Sequence, residues 1–126
     1  MISANLRKNL KDKNPARRRK ALFALRSNSI EIFKKVIVSD SSPVIRHEAA
    51  FLLGRSKNKE AVDILIQAIK TDTSDLVRHE AIEALGDSGI NNTKVKVLLQ
   101  SLMKDKNPFI RDTARIALLT LELFRK

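Results

Sequence analysis

At 126 residues the chain has room for one domain with a continuous core and too little for two independent ones. It has no cysteine, which excludes disulfides and thiolate metal sites and fits a reducing cytoplasm. Its formal charge of +11 is unevenly placed, with nine Lys or Arg against one acid, Asp12, in residues 1–26, and six basic against nine acidic side chains in residues 40–89. The cationic start and the mildly anionic middle are therefore expected to face different partners. The first twenty residues are basic and hold no apolar stretch suited to a signal peptide or a membrane span, so a soluble cytoplasmic protein is the expectation.

Along the chain, Asn14-Pro15, Ser42-Pro43 and Asn107-Pro108 each place a capping residue before a proline at the first helical position. After Ser42-Pro43, and again 32 residues later, apolar residues recur at helical spacing: Ile45, Ala49, Leu52 and Leu53, then Val77, Ala81, Ala84 and Leu85. Gly54 and Gly86 are expected to stop these helices. Second helices are expected over 30–38, 60–70 and about 93–104, joined by short polar turns. The final apolar run, Leu118, Leu119, Leu121, Leu123 and Phe124, has no second helix behind it and is expected to meet another chain.

One pattern occurs four times, on Arg18, Arg46, Arg78 and Arg111, stepping by 28, 32 and 33 residues. An aspartate stands six residues before each arginine: Asp12, Asp40, Asp72 and Asp105. Such a period marks stacked helical hairpins. The frame resembles HEAT-type repeats of the phycobilisome-lyase class, which implies an all-α, short α-solenoid of about four hairpins. A single domain over 1–126 is expected, with repeats at about 12–39, 40–71, 72–104 and an incomplete 105–126. The repeated Arg and Asp side chains are expected to form a structural ladder between repeats.

The two histidines, His47 and His79, stand at the same repeat position, between the arginine and a glutamate, Glu48 or Glu80. The outer repeats carry Arg19-Lys20 and Asp112-Thr113 there. Neighbouring helical residues point about 100° apart, so His47 and Glu48 do not readily chelate one ion together. Equivalent helices stack roughly 8–10 Å apart, so imidazoles from successive repeats can meet at a single metal, and non-haem iron sites take two histidines and a carboxylate.

Val44-Ile45-Arg46-His47-Glu48-Ala49-Ala50-Phe51-Leu52-Leu53-Gly54, followed 32 residues later by Leu76-Val77-Arg78-His79-Glu80-Ala81-Ile82-Glu83-Ala84-Leu85-Gly86, resembles the paired His-Glu repeats of deoxyhypusine hydroxylase. That family joins two similar four-repeat halves, binds two irons between them and hydroxylates a modified lysine of a translation initiation factor. The chain resembles one half, nearly end to end. The resemblance implies that His47 and His79 hold an iron with Glu48 of the opposite half, and that Glu80 faces the substrate amine as the catalytic acid group. A two-fold homodimer restores the missing half, with the apolar last helix as part of the contact.

Two readings of other classes stand beside this one. A non-catalytic scaffold presents its concave face to a protein partner and needs no metal. A nucleic-acid binder uses the basic patch Arg17, Arg18, Arg19 and Lys20 against phosphates, although the absence of Tyr and Trp leaves little for base stacking. With three glycines and no cysteine there is no phosphate loop, thiol nucleophile or serine elbow, so any enzymology rests on the His-Glu pairs.

Overall fold

The computed structural model describes residues 2–25 and 29–123. Among them lie eight helices and no strand: α1 (Ala4–Asn9), α2 (Pro15–Phe23), α3 (Ile30–Ser39), α4 (Pro43–Ser56), α5 (Lys59–Thr71), α6 (Asp75–Ser88), α7 (Thr93–Leu102) and α8 (Pro108–Leu123). Helices α2, α4, α6 and α8 follow one another in contact, as do α3 and α5, and α4, α6 and α8 also pack against α3, α5 and α7 respectively. The result is a stack of helical hairpins around one apolar core that runs from Leu22 through Phe33, Leu53, Leu65, Ile82 and Leu99 to Leu121. Arg26 and Phe124, which figure in the sequence reading, lie outside the described residues.

Each first helix is started by the same device. The aspartate of the loop accepts a hydrogen bond from the backbone N–H two residues on, as in Asp12 with Asn14, Asp40 with Ser42, Asp72 with Ser74 and Asp105 with Asn107, at 2.8–2.9 Å. In three of the four repeats the next polar side chain then takes an N–H of the first turn: Asn14 from Ala16, Ser42 from Ile45 and Asn107 from Phe109. These bonds satisfy donors that a helix start would otherwise leave open. Proline follows in α2 and α4, and also opens α8, where its fixed φ suits the helix and its missing N–H costs nothing.

The arginines bind these loops to one another. Arg18 Nη1 donates to the carbonyl of Asp12 at 2.9 Å, while its Nε and Nη2 donate to the Asp40 carboxylate at 3.0 and 3.1 Å. Arg46 repeats the arrangement with Asp40 O at 2.8 Å and Asp72 at 2.9 and 3.2 Å. Arg78 reaches Asp105 through Nη2 at 2.7 Å, but turns its other nitrogens to Asp75 and to the carbonyl of Ile69. Arg111 closes its own loop on Asp105 O at 2.8 Å. The carboxyl of Asp105 is held below the usual carboxylate range, first by the N–H of Asn107 and then by Arg78. These are charge-assisted bonds, and the planar guanidinium suits the paired oxygens.

Gly54 and Gly86 do not stop their helices. Helices α4 and α6 continue to Ser56 and Ser88 and end in left-handed residues, Lys57 at φ 53° and Gly89 at φ 71°. The two glycines sit inside, where backbones nearly touch: a Cβ on Gly54 would lie 2.6 Å from the Cβ of Ala84, and one on Gly86 would lie 3.1 Å from the Cα of Ala117. Close approach of successive helices requires the glycine at 54 and favours it at 86, a need that resembles a helix stop when only the sequence is read.

The last helix is also partly covered. Leu121 is buried and Leu118 packs against the core, because both face the seam with the preceding hairpin. The exposed apolar side chains of α8 are Phe109, Ile116, Leu119 and Leu123. No described helix is long and apolar enough to cross a membrane.

Candidate functional site: a second ladder of histidines and acids

The residues beside the repeat arginines form a second line of contacts across α2, α4, α6 and α8, and its rungs differ from one another. His47 Nε2 of α4 meets Glu80 Oε1 of α6 at 2.9 Å. One repeat earlier, Arg19 Nε of α2 donates to Glu48 Oε1 of α4 at 2.9 Å. One repeat later, His79 lines a small pocket with Glu83, Asp87, Asp112, Thr113 and the apolar Phe109 and Ile116. There the residue in the glutamate position is Thr113, whose hydroxyl is turned back to the carbonyl of Phe109 at 2.7 Å.

The pairing therefore runs from each repeat to the next and joins unlike groups. The structure brings His47 to Glu80 and Arg19 to Glu48. Among the described residues His79 makes no ion pair. Sequence reasoning saw the two His-Glu dipeptides but missed Arg19 as the first rung. The signal was present in the alignment of Arg18-Arg19-Lys20 with Arg46-His47-Glu48. It was hidden because a run of basic residues reads most simply as a solvated face.

Glu80 is the most perturbed acid of the site. Only 8% exposed, it is pushed up to about 7, first by burial and then by the charges of Glu83, Asp87 and Glu48. Its neighbour across the helices is His47, with Nε2 2.9 Å from Oε1. The other imidazole nitrogen, His47 Nδ1, is buried and has no hydrogen-bond partner among the described residues. Such an orphan is uncommon and marks a place where a ligand, an ion or a water would be welcome.

The donors here are imidazole nitrogens and carboxylates, the set that non-haem iron takes, and the orphaned Nδ1 leaves one of them unspent. Yet among the described residues no group of three or more His, Asp or Glu side chains is placed to hold a metal ion. The residues fit iron in kind, and one chain falls short in number.

The basic patch is largely used within the chain. Arg17 pairs with Asp12 at 3.4 Å, Arg18 with Asp40 and Arg19 with Glu48, leaving Lys20 as the member of that run with no ion pair among the described residues. Charges already neutralised by side-chain partners release fewer counterions from phosphates.

Comparison with known proteins agrees with this architecture. Residues 30–119 match the family model described as HEAT repeats. A curated relative, Deoxyhypusine hydroxylase-B of Oryza sativa subsp. japonica, is 39% identical over 109 residues, covering 83% of this chain and 35% of the rice protein. The solved structure of human deoxyhypusine hydroxylase in complex with glycerol superposes with a TM-score of 0.79 and 28% identity, covering 94% of this chain and 43% of the human one. The chain thus spans well under half the length of these relatives. With eight helices in stacked hairpins, an arginine-aspartate ladder between them and a family match over most of its length, the chain belongs to the HEAT-repeat family.

Proposed function

We propose that this chain supplies half of a deoxyhypusine-hydroxylase-like iron centre and that a second copy, related by a two-fold axis, supplies the other half. The observation that carries the proposal is the His47–Glu80 contact across α4 and α6 with its buried, unpartnered Nδ1, in a chain 39% identical to a deoxyhypusine hydroxylase. His47 and His79 would hold the metal with Glu48 of the second copy, and Glu80 would face a cationic amine. Iron so held supplies the activation of dioxygen needed for an oxidoreductase that hydroxylates a modified lysine.

The chain's own residues have definable parts in this. Glu80, titrating near neutrality, can take or give a proton beside an amine. Glu83 and Asp87 beside His79 favour a positive ligand. The incomplete donor set of one chain is what a two-fold assembly makes whole, since an isologous interface presents each site twice.

The exposed stripe of Phe109, Ile116, Leu119 and Leu123 is the face we assign to the homodimer. It differs at one position from the faces buried between repeats. Leu119 stands eight residues after Arg111, where Gly54 and Gly86 stand after Arg46 and Arg78. Leu119 is exposed there and adds apolar area to the stripe.

The test is anaerobic purification with added ferrous iron, followed by metal analysis and solution mass, on the wild type, His47→Ala and His79→Ala. The expected result is about one iron per chain in a dimer of wild type, with most of the iron lost from each variant. A metal-free wild type, or full iron in both variants, would leave a non-catalytic scaffold for a protein partner as the better reading.

A further inference from the structure

Arg19 stands where histidine stands in the next two repeats, and it treats Glu48 as His47 treats Glu80. Both residues reach from one helix of the stack to the acid of the next, at the same 2.9 Å separation. The chemistry of the two rungs is opposite. An imidazole can shed its charge and turn a lone pair to an ion, whereas a guanidinium stays charged at any ordinary pH and has no lone pair to offer.

The Arg19 rung is well supported. The guanidinium carbon lies 4.8 Å over the centre of the Phe23 ring, and that ring lies 6.4 Å from the ring of Phe51. The Glu48 side chain is only 13% exposed, while that of Arg19 is 54% exposed. The acid is therefore held in place and its counter-ion has freedom to leave. The Phe23 ring carries the guanidinium while it bonds Glu48, so the stacking and the ion pair are made together.

We propose that Arg19 is a built-in counter-cation that closes the Glu48 carboxylate in the single chain and competes with a divalent metal for it. The proposal rests on the iron-centre reading above, in which Glu48 must serve a site completed by a second copy. A dication bound to Glu48 would lie within a few ångströms of the guanidinium, in a partly water-excluded place where like charges repel strongly. Glu48 is thus available for metal only when Arg19 swings away from it into solvent, where more than half of its side chain already lies. Glu80 has no such guard, and the two glutamates are unequal before any metal arrives.

The experiment is calorimetric titration of the full chain with ferrous iron under anaerobic conditions, comparing wild type, Arg19→Gln, Arg19→Lys and Arg17→Gln. Arg17→Gln removes the same charge from the neighbouring residue, which pairs with Asp12 and not with Glu48. Helical circular dichroism confirms that each variant is folded, and Arg19→Lys keeps the charge if the glutamine variant does not fold. The expected result is iron bound roughly tenfold more tightly by Arg19→Gln, with Arg17→Gln and Arg19→Lys within about twofold of wild type. Iron bound equally well by wild type and Arg19→Gln, or more weakly by the variant, overturns the competition and leaves the iron centre standing. No iron in any of the four proteins overturns both.

Discussion

Two ladders climb the same stack of helices, and they are built on opposite rules. The arginine-aspartate ladder uses the same residue types at every rung, from Arg18–Asp40 through Arg46–Asp72 to Arg78–Asp105. The ladder beside it changes at each step, from Arg19–Glu48 to His47–Glu80 to His79 beside Thr113. A rung that every copy shares fixes the spacing of the repeats. A rung that differs from copy to copy, with a buried acid and an unpartnered imidazole nitrogen, is set by something other than stacking.

The uniform ladder should be the costlier one to break. Asp72→Ala removes both bonds from Arg46 and the acceptor for the Ser74 N–H, and strands a guanidinium that is only 14% exposed. A loss of about 3 kcal/mol is expected, because an ionised group left partly buried without its partner forfeits more than a hydrogen bond. Urea denaturation gives the number directly from the shift in midpoint at constant slope. A loss below about 1 kcal/mol would mean that the rung behaves as a surface pair and that the stack is held by apolar contact alone.

Much of the frame can be read from the sequence because it depends on local rules repeated at a fixed period. Asp40, Ser42, Pro43 and Arg46 state the loop, the cap, the first turn and the tie to the next repeat within seven residues. The helix ends are less legible. Gly54 looks like a stop, and only the proximity of Ala84 shows that it serves a contact between helices. The candidate site is half legible for a related reason. Sequence marks His47, Glu48, His79 and Glu80 as a repeated set, but which side chain meets which depends on reach across two helices. That reach pairs His47 with Glu80 and gives Glu48 to Arg19.

The variable ladder should respond to pH in a way the uniform one does not. The Glu80 carboxyl titrates at about 7 in the folded chain, against an ordinary value of 4.5. Between those values the folded chain keeps a proton that the unfolded chain has released. Stability contributed by this group is therefore greatest below the window and falls as pH rises through it, by up to roughly 3 kcal/mol. Glu80→Gln removes the ionisation while keeping the shape, so in the presence of chelator it should be more stable than wild type by about 2 kcal/mol near pH 8 and equal to it near pH 5. Denaturation series at the two pH values measure this difference. A variant less stable than wild type near pH 8 would show that the ionised Glu80 is held by His47 strongly enough to outweigh its burial.

A third contact between repeats sharpens the distinction by being superficially like both ladders. Lys94 Nζ of α7 lies 2.6 Å from Asp63 Oδ1 of α5, a shorter separation than any rung of the arginine-aspartate ladder. Both side chains are more than 60% exposed, so water and salt screen the pair and each flexible chain loses freedom in making it. A double-mutant cycle with Lys94→Ala and Asp63→Ala should return a coupling of about 0.5 kcal/mol or less, shrinking further when salt is added. Distance alone does not make a rung: Arg46–Asp72 carries weight because its groups are sheltered and doubly bonded, and Lys94–Asp63 has neither property. A coupling above about 1.5 kcal/mol would reverse that ranking and make the α5–α7 contact a third structural tie between the repeats.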